Sequence, residues 1–135
     1  MATLKTNTLT GTSTAGSIAV TGEGNSTTTN LQQGLAKVWL NYKGTSTNSV
    51  RDSLNESSVT DNGSGDYSVN FTNNMGNANY MITGTGEQLS GNATIEIVKD
   101  YSNDYTTSVA RIASVQNSTR GDAIYVNFSV HGDLA

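Results

Sequence analysis

Side chains that could do chemistry are few in this sequence and lie far apart. His131 is the only histidine, and a lone histidine near a chain end reads as a surface residue rather than a general base. General acid–base work needs titratable groups converging in one pocket. The eleven acids are instead spread as Glu23, Asp52, Glu56, Asp61, Asp66, Glu87, Glu96, Asp100, Asp104, Asp122 and Asp133. Most fall in turn-rich text, where aspartate commonly hydrogen-bonds its own backbone. No serine sits in a G-x-S-x-G elbow with a partner base. The sequence predicts no catalytic residue and no enzyme activity.

One stretch has the alternating oxygen groups that can ligate Ca²⁺: Asp61-Asn62-Gly63-Ser64-Gly65-Asp66. The EF-hand spacing is absent, because Thr72, not glutamate, stands at the twelfth position. A hairpin turn accounts for every residue in it. Thr83-Gly84-Thr85-Gly86-Glu87 is no phosphate loop, since no Gly-Lys-Ser/Thr and no opening helix follow. Neither a metal nor a cofactor is expected.

The remaining candidates are contact residues. Trp39 falls on the face opposite an apolar stripe and reads as an anchor for another surface, given the enrichment of tryptophan at binding hot spots; packing beneath the chain's own N-terminal segment is the alternative. Tyr101 and Tyr105, in the loop text DYSNDY, suit a sugar or a partner protein, or are ordinary loop tyrosines. Leu4 and Leu9 are apolar residues on a segment with little else to bury.

These residues must be positioned by strands. In Leu35–Gly44, Ala36, Val38, Leu40 and Tyr42 alternate with Lys37, Trp39 and Asn41, the period of a half-buried strand. Val59-Thr60, the Asn-Gly turn text and alternating Tyr67, Val69 and Phe71 predict a β-hairpin. Further strands are expected at Tyr80–Thr83, Thr94–Lys99, Thr106–Val115 and Ala123–Val130. Asn30–Lys37 has room for a short helical turn. Short strands at this spacing predict an all-β fold, a small antiparallel β-sandwich or barrel over residues 34–135. The expected core is Val38, Leu40, Tyr42, Val59, Tyr67, Val69, Phe71, Tyr80, Ile82, Ile95, Ile97, Ile112, Ile124, Val126, Phe128 and Val130. Residues 1–33 are poorer in apolar groups and carry Gly11, Gly16, Gly22 and Gly24. They read as an extended N-terminal arm, able to reach on the order of 100 Å and serving assembly or anchoring.

Composition narrows the classes. Only 34% of residues are hydrophobic, and nearly half are Gly, Asn, Ser or Thr. Charge is only 13% and proline is absent, whereas disordered chains are usually rich in both. A net charge of −4 lacks the basic footprint of a nucleic-acid binder. No run of about 18 apolar residues is available for membrane insertion, and MATLKTNTLT has no apolar signal core. Without cysteine there is no disulfide. Asn-X-Ser/Thr triplets at Asn25, Asn55, Asn62, Asn70, Asn92, Asn117 and Asn127 are expected by chance in such a composition. So thin a core predicts an obligate oligomer, a homotrimer or similar.

The run Val50–Thr72, followed by Met75, Asn79 and Tyr80, resembles a module recurrent in tailed-phage virion proteins, of the tail-fibre type found in phages of marine bacteria and cyanobacteria. Asn30–Trp39 is similar to the lead-in of that module, and Thr3–Thr8 to a Thr/Asn-rich lead common in such proteins. The resemblance covers residues 28–82 well and brings no catalytic residues. It implies a structural role on the virion surface, as a tail appendage contacting other virion proteins and a host surface glycan. A capsid head decoration (cement) protein on the capsid exterior is the alternative, and a carbohydrate-binding β module a further one.

Overall fold

A computed structural model of the chain describes residues 3–13, 18–87, 95–100 and 105–135. They divide into two compact units, Met1–Leu35 and Ala36–Ala135.

The first unit is not a continuously extended stretch. Strands β1 (Ala19–Thr21) and β2 (Thr28–Asn30) pair antiparallel. Gly22 N donates to Thr27 O and Asn25, at φ 56°, donates to Gly22 O, which turns the chain back on itself. Asn30 then caps the four-residue helix α1 (Leu31–Gly34), its side-chain oxygen accepting from Gln33 N at 3.1 Å. This is the short helical turn expected there. Every described residue of this unit is exposed or half-exposed.

The second unit holds β3 (Val38–Lys43), β4 (Ser49–Leu54), β5 (Glu56–Gly63), β6 (Asp66–Phe71), β7 (Met81–Glu87), β8 (Ile95–Lys99), β9 (Val109–Gln116), β10 (Thr119–Arg120) and β11 (Tyr125–His131). They form one nine-stranded antiparallel sheet, in the order β4-β3-β11-β7-β8-β9-β6-β5, with β10 hairpinned onto β9. The strands at the two ends of this path, β4 and β5, are consecutive in the chain and joined by Asn55 alone. Two residue steps span at most about 7 Å, so the sheet must curl until its ends meet. It forms a nearly closed barrel or sandwich. Asn55 makes the corner at φ 58°, a conformation asparagine tolerates better than most residues. Its carbonyl accepts from Thr72 N, its Oδ1 from Asn73 N at 2.7 Å, and its Nδ2 donates to Asn73 O.

Alternation fills the interior. Val38, Leu40 and Tyr42 on β3, Tyr67, Val69 and Phe71 on β6, Ala110 and Ile112 on β9, Ile97 on β8, and Val126, Phe128 and Val130 on β11 are all buried. Val59 and Ile82 are packed against this cluster but only half-buried, as is Ile124. The side chain of Ile95, also expected inside, lies outside the described residues. Met75 and Ala123, from connecting segments, join the core. Met75 is held by backbone bonds linking 74–76 with 133–135 and with Thr107.

The strand ends differ from the expected ones for local reasons. The predicted hairpin is present, but its turn is Ser64-Gly65, with Asp61 and Asn62 still in β5. Gly65 sits at φ +63°, and a Cβ there would lie 2.5 Å from Gly121 N, so glycine is required by conformation and by space. Strand β9 starts at Val109 rather than Thr106, because the Thr106 hydroxyl accepts from the amides of Ser108 and Val109 and makes a turn. Strand β4 was not expected. It is an exposed edge carrying Arg51 as an extra residue in its pairing with β3, where Asn41 faces Asp52 and Tyr42 faces Val50.

Candidate functional site

The outward side of β3-β11-β7 is built by register alone. Trp39 pairs with Ser129 and Ser129 with Thr83; two residues along, Asn41 pairs with Asn127 and Asn127 with Thr85. Because side chains alternate between faces, these six form two rows across three strands, and the backbones of Leu40, Gly84 and Phe128 floor a shallow groove of about 490 Å³ between them. Trp39 therefore lies opposite the core stripe, 36% exposed. Thr83 Oγ1 and Ser129 Oγ share a hydrogen bond of 2.9 Å.

The Arg51 bulge flanks this groove. Arg51 Nη1 donates to Asn41 Oδ1 at 3.3 Å and to Tyr42 O at 3.2 Å, and its guanidinium lies 4.0 Å from the Tyr125 ring centroid. With Oδ1 engaged, the Asn41 amide nitrogen has no partner among the described residues. The Asn127 amide likewise forms no hydrogen bond among them.

A second concentration of polar chemistry is ionic. Arg111 grips Asp66 with two bonds of 2.8 Å, Arg120 Nη1 reaches Asp66 at 2.7 Å, and Arg120 Nη2 reaches Asp100 at 2.8 Å. Asp100 is 1% exposed, a burial that a carboxylate tolerates only when paired. The Arg111 hydrogen bonds hold the Asp66 carboxyl below the ordinary aspartate range. Next to this quartet, Asp122 Oδ1 accepts from Gly65 N at 2.8 Å and from Tyr67 OH at 3.1 Å. Burial, and then Asp122, push the Tyr67 hydroxyl up. Both quartet carboxylates are thus paired with arginines, which ties the start of β6 to β9 and β10.

Both carboxylates of the Asp61–Asp66 stretch are engaged within the fold. Asp61 Oδ1 accepts from Gly63 N, and Asn62 donates to Asp66 and to Ser68. Asp61 Oδ2 accepts from Asn48. Among the described residues no three His, Asp or Glu side chains converge as a metal-holding group.

Tyr105 lies in a connecting segment and is half-buried. It stacks on Tyr80 at 4.9 Å and 15° and packs against the core. Its hydroxyl is buried without a partner among the described residues, and burial pushes it up to about 12. Tyr101 lies outside the described residues. Leu4 and Leu9 are exposed, at 76% and 53%. Leu9 joins Ile18, Leu31 and Leu35 in lining a cleft of about 500 Å³ within the first unit. Of the sequence candidates among the described residues, only Trp39 lines the groove. Its polar neighbours were not singled out, since only the strand order brings them together. Comparison with family models, with curated proteins and with solved structures finds no match to this chain.

Proposed function

We propose that this chain is a non-catalytic structural subunit of a tailed-phage virion surface, of the tail-fibre type, held in place through its N-terminal unit. The observation that carries the reading is the contrast in burial. Residues 36–135 close a core within one chain, whereas Leu4, Leu9, Val20 and Leu35 in the first unit remain exposed. Leu9 and Leu35 line one cleft with Ile18 and Leu31, and apolar groups gathered on a segment that cannot cover them support its reading as a contact surface. The resemblance of Val50–Thr72 to tail-fibre-type modules gives the setting, and the commitment of Asp66 and Asp100 to arginines accords with a role without catalysis. The proposed assembly is a homotrimer that also contacts other virion proteins.

The test is location. Immunogold labelling and a particle reconstruction at side-chain resolution are expected to find the chain on the tail, with residues 1–35 covered by neighbouring subunits. Absence from purified particles would overturn the reading. One observation suits the head decoration alternative: the strands of Ala36–Ala135 bury a core among themselves, as a compact knob on a capsid exterior would. Labelling on the shell would select it.

A further inference from the structure

We infer that the outward groove on β3-β11-β7 is a binding site for a neutral saccharide. The inference stands on the groove's own geometry and holds whether the chain sits on a tail, a head or neither.

Three properties select the ligand. The six side chains that line the groove are Trp39, Asn41, Thr83, Thr85, Asn127 and Ser129; none is charged, and the flanking Arg51 is engaged by Asn41 Oδ1, Tyr42 O and the Tyr125 ring, so the lining itself does not repay the desolvation of a phosphate, a carboxylate or an ammonium group. The groups present are hydroxyls and primary amides. A hydroxyl both donates and accepts, and an amide offers an acceptor oxygen beside two donor protons, which matches the vicinal hydroxyls of a sugar. The Asn127 amide and the Asn41 nitrogen have no partner among the described residues, while Arg51 fixes the Asn41 orientation from the side. Trp39 supplies a partly exposed aromatic at one end of the row, suited to the apolar C–H face of a pyranose ring.

The same list argues against a second copy of the chain as occupant. The buried centre of a protein interface is apolar and depleted in serine, whereas five of the six groove side chains are polar. A nucleic acid is disfavoured because Arg51, the cation at the flank, is held by Asn41, Tyr42 and Tyr125 and a single cation is not the basic footprint that phosphates require.

Trp39 is the only tryptophan in the chain, so selectively excited tryptophan emission reports this groove alone. The full chain is titrated with glucose, galactose, mannose, N-acetylglucosamine and their linear oligomers, with sialylated and sulfated glycans as charged controls. The expected result is a saturable change in emission with at least one neutral sugar. Trp39→Ala, followed by calorimetry, and Asn127→Ala should each weaken binding by about tenfold or more with little change in melting temperature. If Trp39→Ala does not fold, Asn127→Ala and protection of Trp39 from acrylamide quenching by the sugar decide the matter. The proposal is overturned if no neutral sugar perturbs Trp39, if only charged glycans bind, or if binding survives Asn127→Ala undiminished. It is overturned equally if acrylamide cannot reach Trp39 because the chain self-associates through this face. None of these outcomes bears on whether the chain is found on purified particles, so the two proposals fail separately.

Discussion

The two units of this chain share a composition rich in Thr, Ser, Asn and Gly, yet only one has an interior. Strand β2 reads Thr-Thr-Asn and β1 reads Ala-Val-Thr, and neither buries a residue. Strand β3 reads Val-Trp-Leu-Asn-Tyr-Lys and buries Val38, Leu40 and Tyr42. Threonine suits the extended backbone in both units, in β2 of the first and β7 of the second. What separates them is an apolar residue at every second position, repeated on successive strands, so that inward faces meet. A β-prone composition is enough for a hairpin; a core needs the period as well.

Deleting side chains in the two units should expose this difference most strongly. Phe128→Ala, in the middle of β11, is expected to cost about 3–5 kcal/mol, read by chemical denaturation. A cost below about 1 kcal/mol would mean that the barrel interior is not close-packed. Breaking the ionic quartet should rank next. Asp66→Asn is expected to cost about 2 kcal/mol at neutral pH, less than a fully buried pair because both arginines keep roughly 30% of their side chains exposed. The pH dependence has a definite sign. The folded Asp66 carboxyl is depressed, so its stabilisation is complete above the unfolded value of about 3.9 and is lost as pH falls through the folded one. Melting temperature should therefore drop more steeply below about pH 4 in the wild type than in Asp66→Asn; parallel acid profiles would remove the quartet from the account. The smallest effect belongs to the first unit. Leu9→Ala in the isolated chain should change stability by less than about 0.5 kcal/mol, while impairing incorporation into particles. A loss comparable to that of Phe128→Ala would show that residues 1–35 have a core of their own.

How far the sequence could be read follows from the same distinction. Strands β3, β6 and β11 were legible because their inward positions carry large apolar groups. Strand β4 was not: its pairing is interrupted at Arg51, and its residues face solvent. The expected strand at Tyr80–Thr83 was too short because β7 continues with Gly84 and Gly86 at its half-buried positions, which give no hydrophobic signal. Gly84 is there for space, since a Cβ would lie 2.6 Å from Asn127 O and 2.7 Å from Ile97 Cβ. Tyr105 lies in a connecting segment, as its polar neighbours suggest, but its half-burial was not legible because Tyr80, far away in sequence, supplies the stacking partner. Trp39 could be set on the outer face from alternation alone. Asn41, Thr83, Thr85, Asn127 and Ser129 could not be gathered around it without knowing that β11 lies between β3 and β7. Asp66, Asp100, Arg111 and Arg120 are equally dispersed along the chain.

The corner at Asn55 has a bearing on how such a chain assembles. Closing a ring of strands ordinarily requires remote segments to find one another, at an entropic cost that grows with the intervening length. Here the seam lies between neighbours in the chain, so the two rims are tethered before any distant pairing has formed. The remaining strands, β11 threading between β3 and β7 among them, have only to fill the space between rims already joined. A circular permutant cut at Asn55 would keep every ladder and lose that tether, turning a pre-stitched hoop into an open ribbon with two adhesive borders.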